Sequence, residues 1–151
     1  MEGYEHRNIG LERDAEKGVI STNPENHQRM VLTRQAKIEQ VAEQIPLLEV
    51  QGNANSETLL IGWGSTEGHL HAAANELGCA LAHFNYIHPL PKNTSEVLGK
   101  YKNLIVCELN NGQFAGYLRS KIDGVKLEQY NEMTAQPFAV DRIVNFVKKT
   151  L

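Results

Sequence analysis

Cysteines, long apolar runs and an excess of charge are all scarce in this sequence. The only two cysteines, Cys79 and Cys107, lie in apolar surroundings without a C-x-x-C spacing. No disulfide framework is therefore needed, a single-chain iron–sulfur cluster is excluded, and two reduced, buried thiols are expected. The apolar runs are too short to span a bilayer, and no secretory signal opens the chain. The formal charge of −3 gives no reason to expect a nucleic acid or a membrane as partner. A cytoplasmic protein is expected.

Strand-like and helix-like segments alternate from residue 47 onward. The apolar run at 58–63 is typical of a strand that is buried on both faces. A helix with one apolar stripe follows it and ends at Gly78. The predicted strands cover residues 47–50, 58–63, 79–86, 103–108 and 125–130, and the predicted core includes Leu70, Ala74, Leu77, Ile105, Val144 and Val147. This pattern predicts an α/β fold with three αβα layers and a mostly parallel five-stranded sheet.

The first 46 residues have a different character. Residues 1–22 are polar and rich in glycine, which predicts an extended arm. Asn23 as the N-cap and Pro24 at the first helical position begin a long helix that runs to about Ile45. The second half of this helix carries an apolar stripe, and the first half is polar on nearly every side. We therefore predict a connector in residues 1–46 and a domain in residues 47–151. The candidate interface residues of the connector helix are Asn26, His27 and Arg29.

Three loops follow predicted strands and should meet at one edge of the sheet. The first, from Gly62 to Gly68, has the pattern G-x-G-x-x-x-G, one residue longer than the dinucleotide-binding fingerprint. One interpretation is a tight turn from strand to helix with a hydroxyl cap. The alternative is a site for an anion or nucleotide at the backbone amides. An esterase elbow would need serine at the central position, where this chain has Thr66.

The other two loops carry prolines and polar side chains. Pro89 and Pro91 stiffen the second loop and position Lys92, which is either part of a stiff loop and helix start or a ligand-binding lysine. In the third loop, Glu108 either braces neighbouring loops or faces a partner subunit, and both alternatives stay open. The candidate loop and interface residues are Gly62, Gly64, Ser65, Thr66, Gly68, Pro89, Pro91, Lys92, Glu108, Asn110, Gly112 and Gln113.

The sequence offers neither a catalytic constellation nor a metal site. His69 and His71 are two residues apart on a predicted helix and point to different sides, whereas a pair of zinc ligands there would be three or four apart. The loops contain no nucleophile with an adjacent base. We therefore assign neither catalytic nor metal-binding residues.

The three loops together resemble a known family. The motifs G-W-G-S-T at 62–66, H-P-L-P-K at 88–92 and E-L-N-N-G-Q at 108–113 are similar, in order and spacing, to those in the C-terminal domain of the alpha subunit of 2-oxoacid:ferredoxin oxidoreductases, especially the 2-oxoglutarate type. Residues 10–14 and 23–30 resemble the segment that joins this domain to the pyrimidine-binding domain. The chain departs from the family pattern at Arg13, where histidine is common, and at Ala15, where an acidic residue is frequent.

The resemblance implies a transketolase C-terminal-like domain that assembles an enzyme without taking part in the chemistry. The complete enzyme would use thiamine diphosphate, magnesium and iron–sulfur clusters, with coenzyme A and ferredoxin as partners. An upstream alpha-subunit domain and a beta subunit would supply the thiamine site, so this chain alone would bind no cofactor and would be inactive. The alternative is an independent small α/β protein that binds an anion or nucleotide at the Gly62–Gly68 loop.

Overall fold

The computed structural model describes residues 10–151. The chain forms two compact units, one ending at Glu43 and the other running from Gln44 to Leu151. Residues 1–9 of the predicted arm lie outside the described residues. Across residues 10–151, no helix is both long enough and apolar enough to cross a bilayer.

In the first unit, residues 10–22 fold back on themselves, so the prediction of an extended arm is wrong for this part. Arg13 and Ile20 form an antiparallel bridge, and the Asp14 backbone amide donates to the Val19 carbonyl at 2.8 Å. The Asp14 carboxylate accepts from the backbone amides of Lys17, at 2.8 Å, and Glu16, at 3.0 Å. These bonds lower the pKa of Asp14, the Lys17 amide contributing most. A turn stabilised by a short acidic side chain therefore closes this segment.

The helix of this unit, α1, spans Pro24–Val41 and begins where the sequence predicts. The side chain of Asn23 accepts the Asn26 amide at 2.7 Å, as expected of an N-cap. The helix ends four residues before the predicted end, and none of its residues is buried. The members of its apolar stripe that lie within α1, Ile38 and Val41, are exposed, and so are Val31 and Leu32 in its first half.

The second unit is built on one five-stranded sheet with the order β1-β3-β2-β4-β5. The strands are β1 (Val50–Gly52), β2 (Thr58–Trp63), β3 (Ala80–Phe84), β4 (Asn103–Glu108) and β5 (Glu128–Asn131). Strands β2 to β5 are parallel to their neighbours, and β1 pairs antiparallel with β3 at one edge. The predicted mostly parallel sheet is confirmed.

Strand β3 (Ala80–Phe84) is shorter than its predicted range of 79–86, and two other strands are displaced for identifiable reasons. Strand β1 begins at Val50 instead of residue 47 because the Asn93 side chain pairs with the Leu48 backbone, accepting its amide at 2.8 Å and donating to its carbonyl at 2.9 Å. Asn93 consequently makes no side-chain cap on the helix that follows it. Strand β5 begins at Glu128, and the Leu127 carbonyl accepts from the Arg119 guanidinium at 2.7 Å.

The helices that cover the sheet are α2 (Glu67–Leu77), α3 (Thr94–Leu98), α4 (Gln113–Lys121) and α5 (Val140–Thr150). Side chains of α2 and α5 pack on one face of the sheet, and side chains of α3 and α4 pack on the other. Because successive residues of a strand point to opposite faces, Leu60 joins the first core and Leu59 the second. The three predicted layers are thus present.

Most of the predicted core positions are confirmed. Five of the six are buried, namely Leu70, Ala74, Ile105, Val144 and Val147, whereas Leu77 is half-buried against the same cluster. Cys79 and Cys107 are both buried, free thiols. Burial raises the pKa of Cys79 to about 11, and it raises the pKa of Cys107 further.

Two leucines of α2 provide a matched test of this packing. Leu70 is fully buried and Leu77 is half-buried. Truncating Leu70 to alanine should lower the free energy of unfolding by about 2–5 kcal/mol, through lost transfer energy and a residual cavity. Leu77→Ala removes the same atoms from a wetter site and should cost clearly less. Urea unfolding measures both, and equal losses would contradict the assignment of Leu70 to the core.

Candidate functional site

The carboxyl ends of β2 and β4 form the switch point of the sheet. These strands are neighbours, but the chain leaves β2 for α2 on one face and leaves β4 for α4 on the other. Open α/β sheets form a crevice where adjacent connections diverge in this way. The three predicted loops follow β2, β3 and β4, so they meet at this edge, and the Trp63 indole reaches Glu108 across it.

Glu108 is the last residue of β4, and its side chain is fully buried. One carboxylate oxygen accepts from the Phe114 amide at 2.8 Å, and the other accepts from the Ala115 amide at 2.9 Å. The Trp63 indole donates a longer bond of 3.4 Å to the first of these oxygens. The carboxylate therefore lies at the start of α4, where free helix amides would otherwise bind an anion.

Asn110 satisfies the remaining amides at this helix start. Its side-chain oxygen accepts from the Gly112 amide at 2.8 Å and from the Gln113 amide at 3.0 Å. Gly112 has a φ of 82°, a backbone conformation that favours glycine. Because Asn110 and Glu108 occupy four successive amides, the N-terminus of α4 is closed to an external anion.

The first loop is a tight turn, as in the first of the two interpretations of its glycines, but the predicted hydroxyl cap is absent, because the side chain of Thr66, the N-cap of α2, accepts no helix amide. A Cβ atom at Gly62 would collide with the Leu70 side chain and would lie 2.7 Å from the Thr66 hydroxyl. Thr66 is buried, and its hydroxyl donates to the Trp63 carbonyl at 2.9 Å. Gly62 thus lets α2 approach β2 closely, and the space beside it is filled by the chain itself.

The charge around the start of α2 also disfavours an anion. Glu67 is the first residue of this helix, and its carboxylate oxygen lies 3.8 Å from Nδ1 of His83. The other ring nitrogen, Nε2 of His83, lies 3.1 Å from the Gly64 carbonyl oxygen. Because a carbonyl oxygen only accepts, Nε2 carries a proton. His83 therefore holds the turn with a single hydrogen bond.

The second loop is held by its own backbone. The buried Pro91 contributes a carbonyl that accepts from the Thr94 amide at 3.0 Å and from the Thr94 hydroxyl at 2.6 Å. Lys92 is exposed. At the start of the loop, Nδ1 of His88 and the Tyr117 hydroxyl are 2.7 Å apart. These bonds fit the interpretation of a stiff loop that leads into a helix.

A cavity of about 380 Å³ opens between the loop ends, and its lining is largely aromatic. The lining residues are Trp63, Ile87, His88, Gln113, Phe114 and Tyr117. Of these, only Gln113 is among the candidate loop and interface residues predicted from the sequence. Trp63 is the one tryptophan of the chain, lies within the G-W-G-S-T motif and ends a buried strand. An aromatic residue at a strand end was therefore a signal that could have identified the cavity.

The candidate interface residues differ in burial. Exposed ones are Gly64, Ser65, Gly68, Lys92 and Gln113; half-buried ones are Pro89, Asn110 and Gly112; buried ones are Gly62, Thr66, Pro91 and Glu108. A side chain that is buried within the unit cannot itself face a partner. For Glu108 the structure therefore shows the bracing alternative, because all its observed bonds are made within the unit.

The three candidate residues of the connector helix bind the preceding segment of their own unit. Asn26 accepts the Ala15 amide at 3.0 Å and donates to the Arg13 carbonyl at 2.8 Å. Nδ1 of His27 lies 3.0 Å from a Glu12 carboxylate oxygen. Arg29 pairs with Glu16 at 3.4 Å. These residues fasten the folded-back segment to the polar half of α1.

Glu12 is the centre of this fastening. Its carboxylate accepts both guanidinium nitrogens of Arg34, at 2.9 and 3.2 Å, and the Arg13 amide at 3.0 Å. The Arg34 hydrogen bonds contribute most to lowering the pKa of Glu12, from 4.5 to about 2.

Within residues 10–151, no group of three or more histidine, cysteine or acidic side chains is placed to hold a metal ion.

Comparison with known proteins confirms the resemblance to the oxidoreductase family. The chain is 40% identical, over 99% of its length, to 2-oxoglutarate oxidoreductase subunit KorA of Mycobacterium tuberculosis. It spans 23% of that relative. No family model matches the chain.

A solved structure supports the same conclusion. The 2-oxoglutarate:ferredoxin oxidoreductase of Magnetococcus marinus, determined with 2-oxoglutarate, coenzyme A and succinyl-CoA bound, is similar with a TM-score of 0.82 and 28% identity. The match covers 96% of this chain and 26% of that chain. The mostly parallel five-stranded α/β fold thus agrees with a solved oxidoreductase of the 2-oxoglutarate type.

Replacing Glu108 tests its bracing role. Glu108→Ala leaves the Phe114 and Ala115 amides unpaired, which should cost about 1–3 kcal/mol for each buried group. The matched control is Glu96→Ala, which removes an exposed, solvent-screened pair with Lys100 and should change stability little. Thermal melts should also show partial rescue of Glu108→Ala by acetate relative to chloride at equal ionic strength. A Glu108→Ala melt that matches the Glu96→Ala melt would refute the bracing role.

The bonds made by Glu12 predict that the local stability of the segment before α1 depends on pH. Because folding lowers the pKa of Glu12 from 4.5 to about 2, its stabilising effect is complete above pH 4.5 and is lost as the pH falls towards 2. Hydrogen exchange at the Arg13 amide should therefore accelerate over this range relative to its intrinsic rate. In Glu12→Gln the acceleration should be absent. The same acid dependence in both proteins would show that another group is responsible.

Proposed function

We propose that this chain is the assembly domain of the alpha subunit of a thiamine-diphosphate-dependent 2-oxoacid:ferredoxin oxidoreductase. The complete enzyme would decarboxylate 2-oxoglutarate oxidatively, form the acyl-CoA product and reduce ferredoxin. The observation that carries this proposal is the 40% identity over 99% of the chain. Since the chain spans only 23% of that relative, the reaction is proposed for a larger assembly.

A non-catalytic role for this domain is supported by the chemistry at the switch point. Glu108 is the acidic side chain placed where a catalytic group would be expected, but two helix amides and the Trp63 indole occupy its carboxylate. The thiols of Cys79 and Cys107 are buried, and burial raises the pKa of each. A thiol in such surroundings is a poor nucleophile. The loop edge of residues 10–151 is therefore better suited to a structural role than to catalysis.

The residues at this edge do not fit thiamine diphosphate, magnesium or an iron–sulfur cluster. A diphosphate needs free helix amides or a bound cation, whereas the α4 amides are occupied and α2 begins with Glu67. The acidic side chains of residues 10–151 form no three-ligand cluster for magnesium. An iron–sulfur cluster needs four thiolate or histidine ligands, and residues 10–151 contain no group of three or more such side chains that could hold a metal. In the proposed enzyme these cofactors are held by the upstream alpha-subunit domain and the beta subunit.

The partners of the domain are proposed to contact its loop edge. The exposed residues there are Gly64, Ser65, Gly68, Lys92 and Gln113. Glu108 and Asn110 support this surface indirectly, because they fix the start of α4 on which Gln113 lies. The exposed apolar stripe of α1 is a second surface suited to a protein partner. Ferredoxin, coenzyme A and a cytoplasmic location belong to the proposed complete enzyme.

The alternative, an independent protein that binds an anion or nucleotide at the Gly62–Gly68 loop, has less support. The space at Gly62 is filled by Leu70 and Thr66, and the negative charge of Glu67 lies at the start of α2. A bound anion would have to overcome this charge. The assembly role is therefore the function that the geometry favours.

Two measurements test the proposal. The chain purified with the polypeptides encoded beside it should reduce ferredoxin in a reaction that requires both 2-oxoglutarate and coenzyme A. By calorimetry, the chain alone should show no saturable heat with thiamine diphosphate and magnesium, or with ATP as the nucleotide control. Binding of thiamine diphosphate to the chain alone would contradict the assembly role. Tight ATP binding without oxidoreductase activity would favour the alternative.

A further inference from the structure

The cavity at the switch point is built to exclude charge. Three aromatic rings, those of Trp63, Phe114 and Tyr117, form most of its wall, together with Ile87. Lysine, arginine, aspartate and glutamate are absent from its lining residues. The cavity volume of about 380 Å³ is large enough for a side chain or a small ring.

Two of the polar groups of the wall already have partners within the unit. The Trp63 indole nitrogen donates to Glu108 at 3.4 Å, and the Tyr117 hydroxyl is 2.7 Å from Nδ1 of His88. The Lys121 ammonium lies 5.7 Å from the centre of the Tyr117 ring and is not a lining residue. An occupant with many polar atoms would lose its hydration here and gain few bonds in return. The chemistry of the cavity selects an apolar group.

The wall is also held in place before anything binds. Phe114 is buried and packs edge-on against Phe84, with 5.0 Å between the ring centres. Its backbone amide is fixed by Glu108 at 2.8 Å. Binding an apolar group therefore requires little ordering of this wall, which lowers its cost.

The rest of the proposed alpha subunit can supply such a group. The chain spans 23% of one relative and 26% of the other, so most of each relative's polypeptide lies outside the matching segment. The cavity opens at the loop edge that we propose as the assembly surface, and the exposed Gln113 belongs to both. A partially exposed aromatic cavity within a protein interface is a common site for an anchoring side chain.

We propose that this cavity receives an apolar side chain from the part of the alpha subunit that lies outside the matching segment. This inference rests on the proposed function. The side chain would pack between Trp63, Phe114 and Tyr117 and anchor the assembly domain to its neighbour. Trp63 would then be an interface anchor, and Glu108 would act as the positioning residue that orients its indole.

Photo-crosslinking in the complete enzyme tests the inference. The photoreactive residue p-benzoylphenylalanine replaces Gln113 at the mouth of the cavity, and the matched control places it at Lys126, an exposed residue before β5 and therefore at the opposite edge of the sheet. The expected result, by mass spectrometry, is a crosslink from position 113 to an apolar segment of the alpha subunit outside the matching segment, several-fold above that from position 126. Equal yields, crosslinks only within residues 44–151, or an adduct with coenzyme A would overturn it.

A second measurement separates failure of this inference from failure of the proposed function. Because Trp63 is the only tryptophan, its fluorescence in the chain alone reports on the cavity. Titration with N-acetylphenylalaninamide should give a saturable spectral shift, whereas N-acetylglutamate amide should give none. A shift without 2-oxoglutarate-dependent activity in the purified assembly would leave the cavity assignment standing and defeat the function. Activity without any spectral shift would leave the proposed function standing and defeat the cavity assignment.

Discussion

The structure depends most on one buried carboxylate. Glu108 ends strand β4, which lies beside the central strand β2, and through the amides of Phe114 and Ala115 it fixes where α4 begins. The same group receives the Trp63 indole from β2, so it joins both sides of the switch point. A carboxylate at a helix start is favoured by the helix dipole and by the free amides. Without it, the neighbouring strand ends and the aromatic wall would lose their common support.

Because of this carboxylate, the crevice at the switch point differs from that of most doubly wound sheets. In many doubly wound sheets the crevice at the switch point is open to a ligand's phosphate groups. Here a side chain of the protein occupies the anion position at α4, Asn110 occupies the next amides, and Leu70 with Thr66 fills the space beside Gly62. What remains exposed at this edge is an aromatic cavity and a rim of small and polar residues. Such a surface is suited to holding a neighbouring polypeptide.

The sequence was sufficient wherever local pattern determined structure. Strands β2 and β4 match their predicted bounds because both are nearly continuous apolar runs, and α2 ends before Gly78 as expected. Bonds between distant residues were not readable in this way. Asn93 shifts the start of β1 through Leu48, 45 residues away, and Trp63 meets Glu108 at the same separation. The choice between bracing and partner contact at Glu108 therefore needed the three-dimensional structure. The motif resemblance supplied the family, which periodicity alone does not indicate.

The central claim is that Glu108, and not an external ligand, occupies the start of α4. The most direct measurement is a through-hydrogen-bond NMR correlation between the amide nitrogens of Phe114 and Ala115 and the carboxyl carbon of Glu108. The account predicts that both correlations are present in the free chain and stay unchanged when phosphate or thiamine diphosphate is added. Absence of the correlations in the free chain, or their loss when either anion is added, would contradict it.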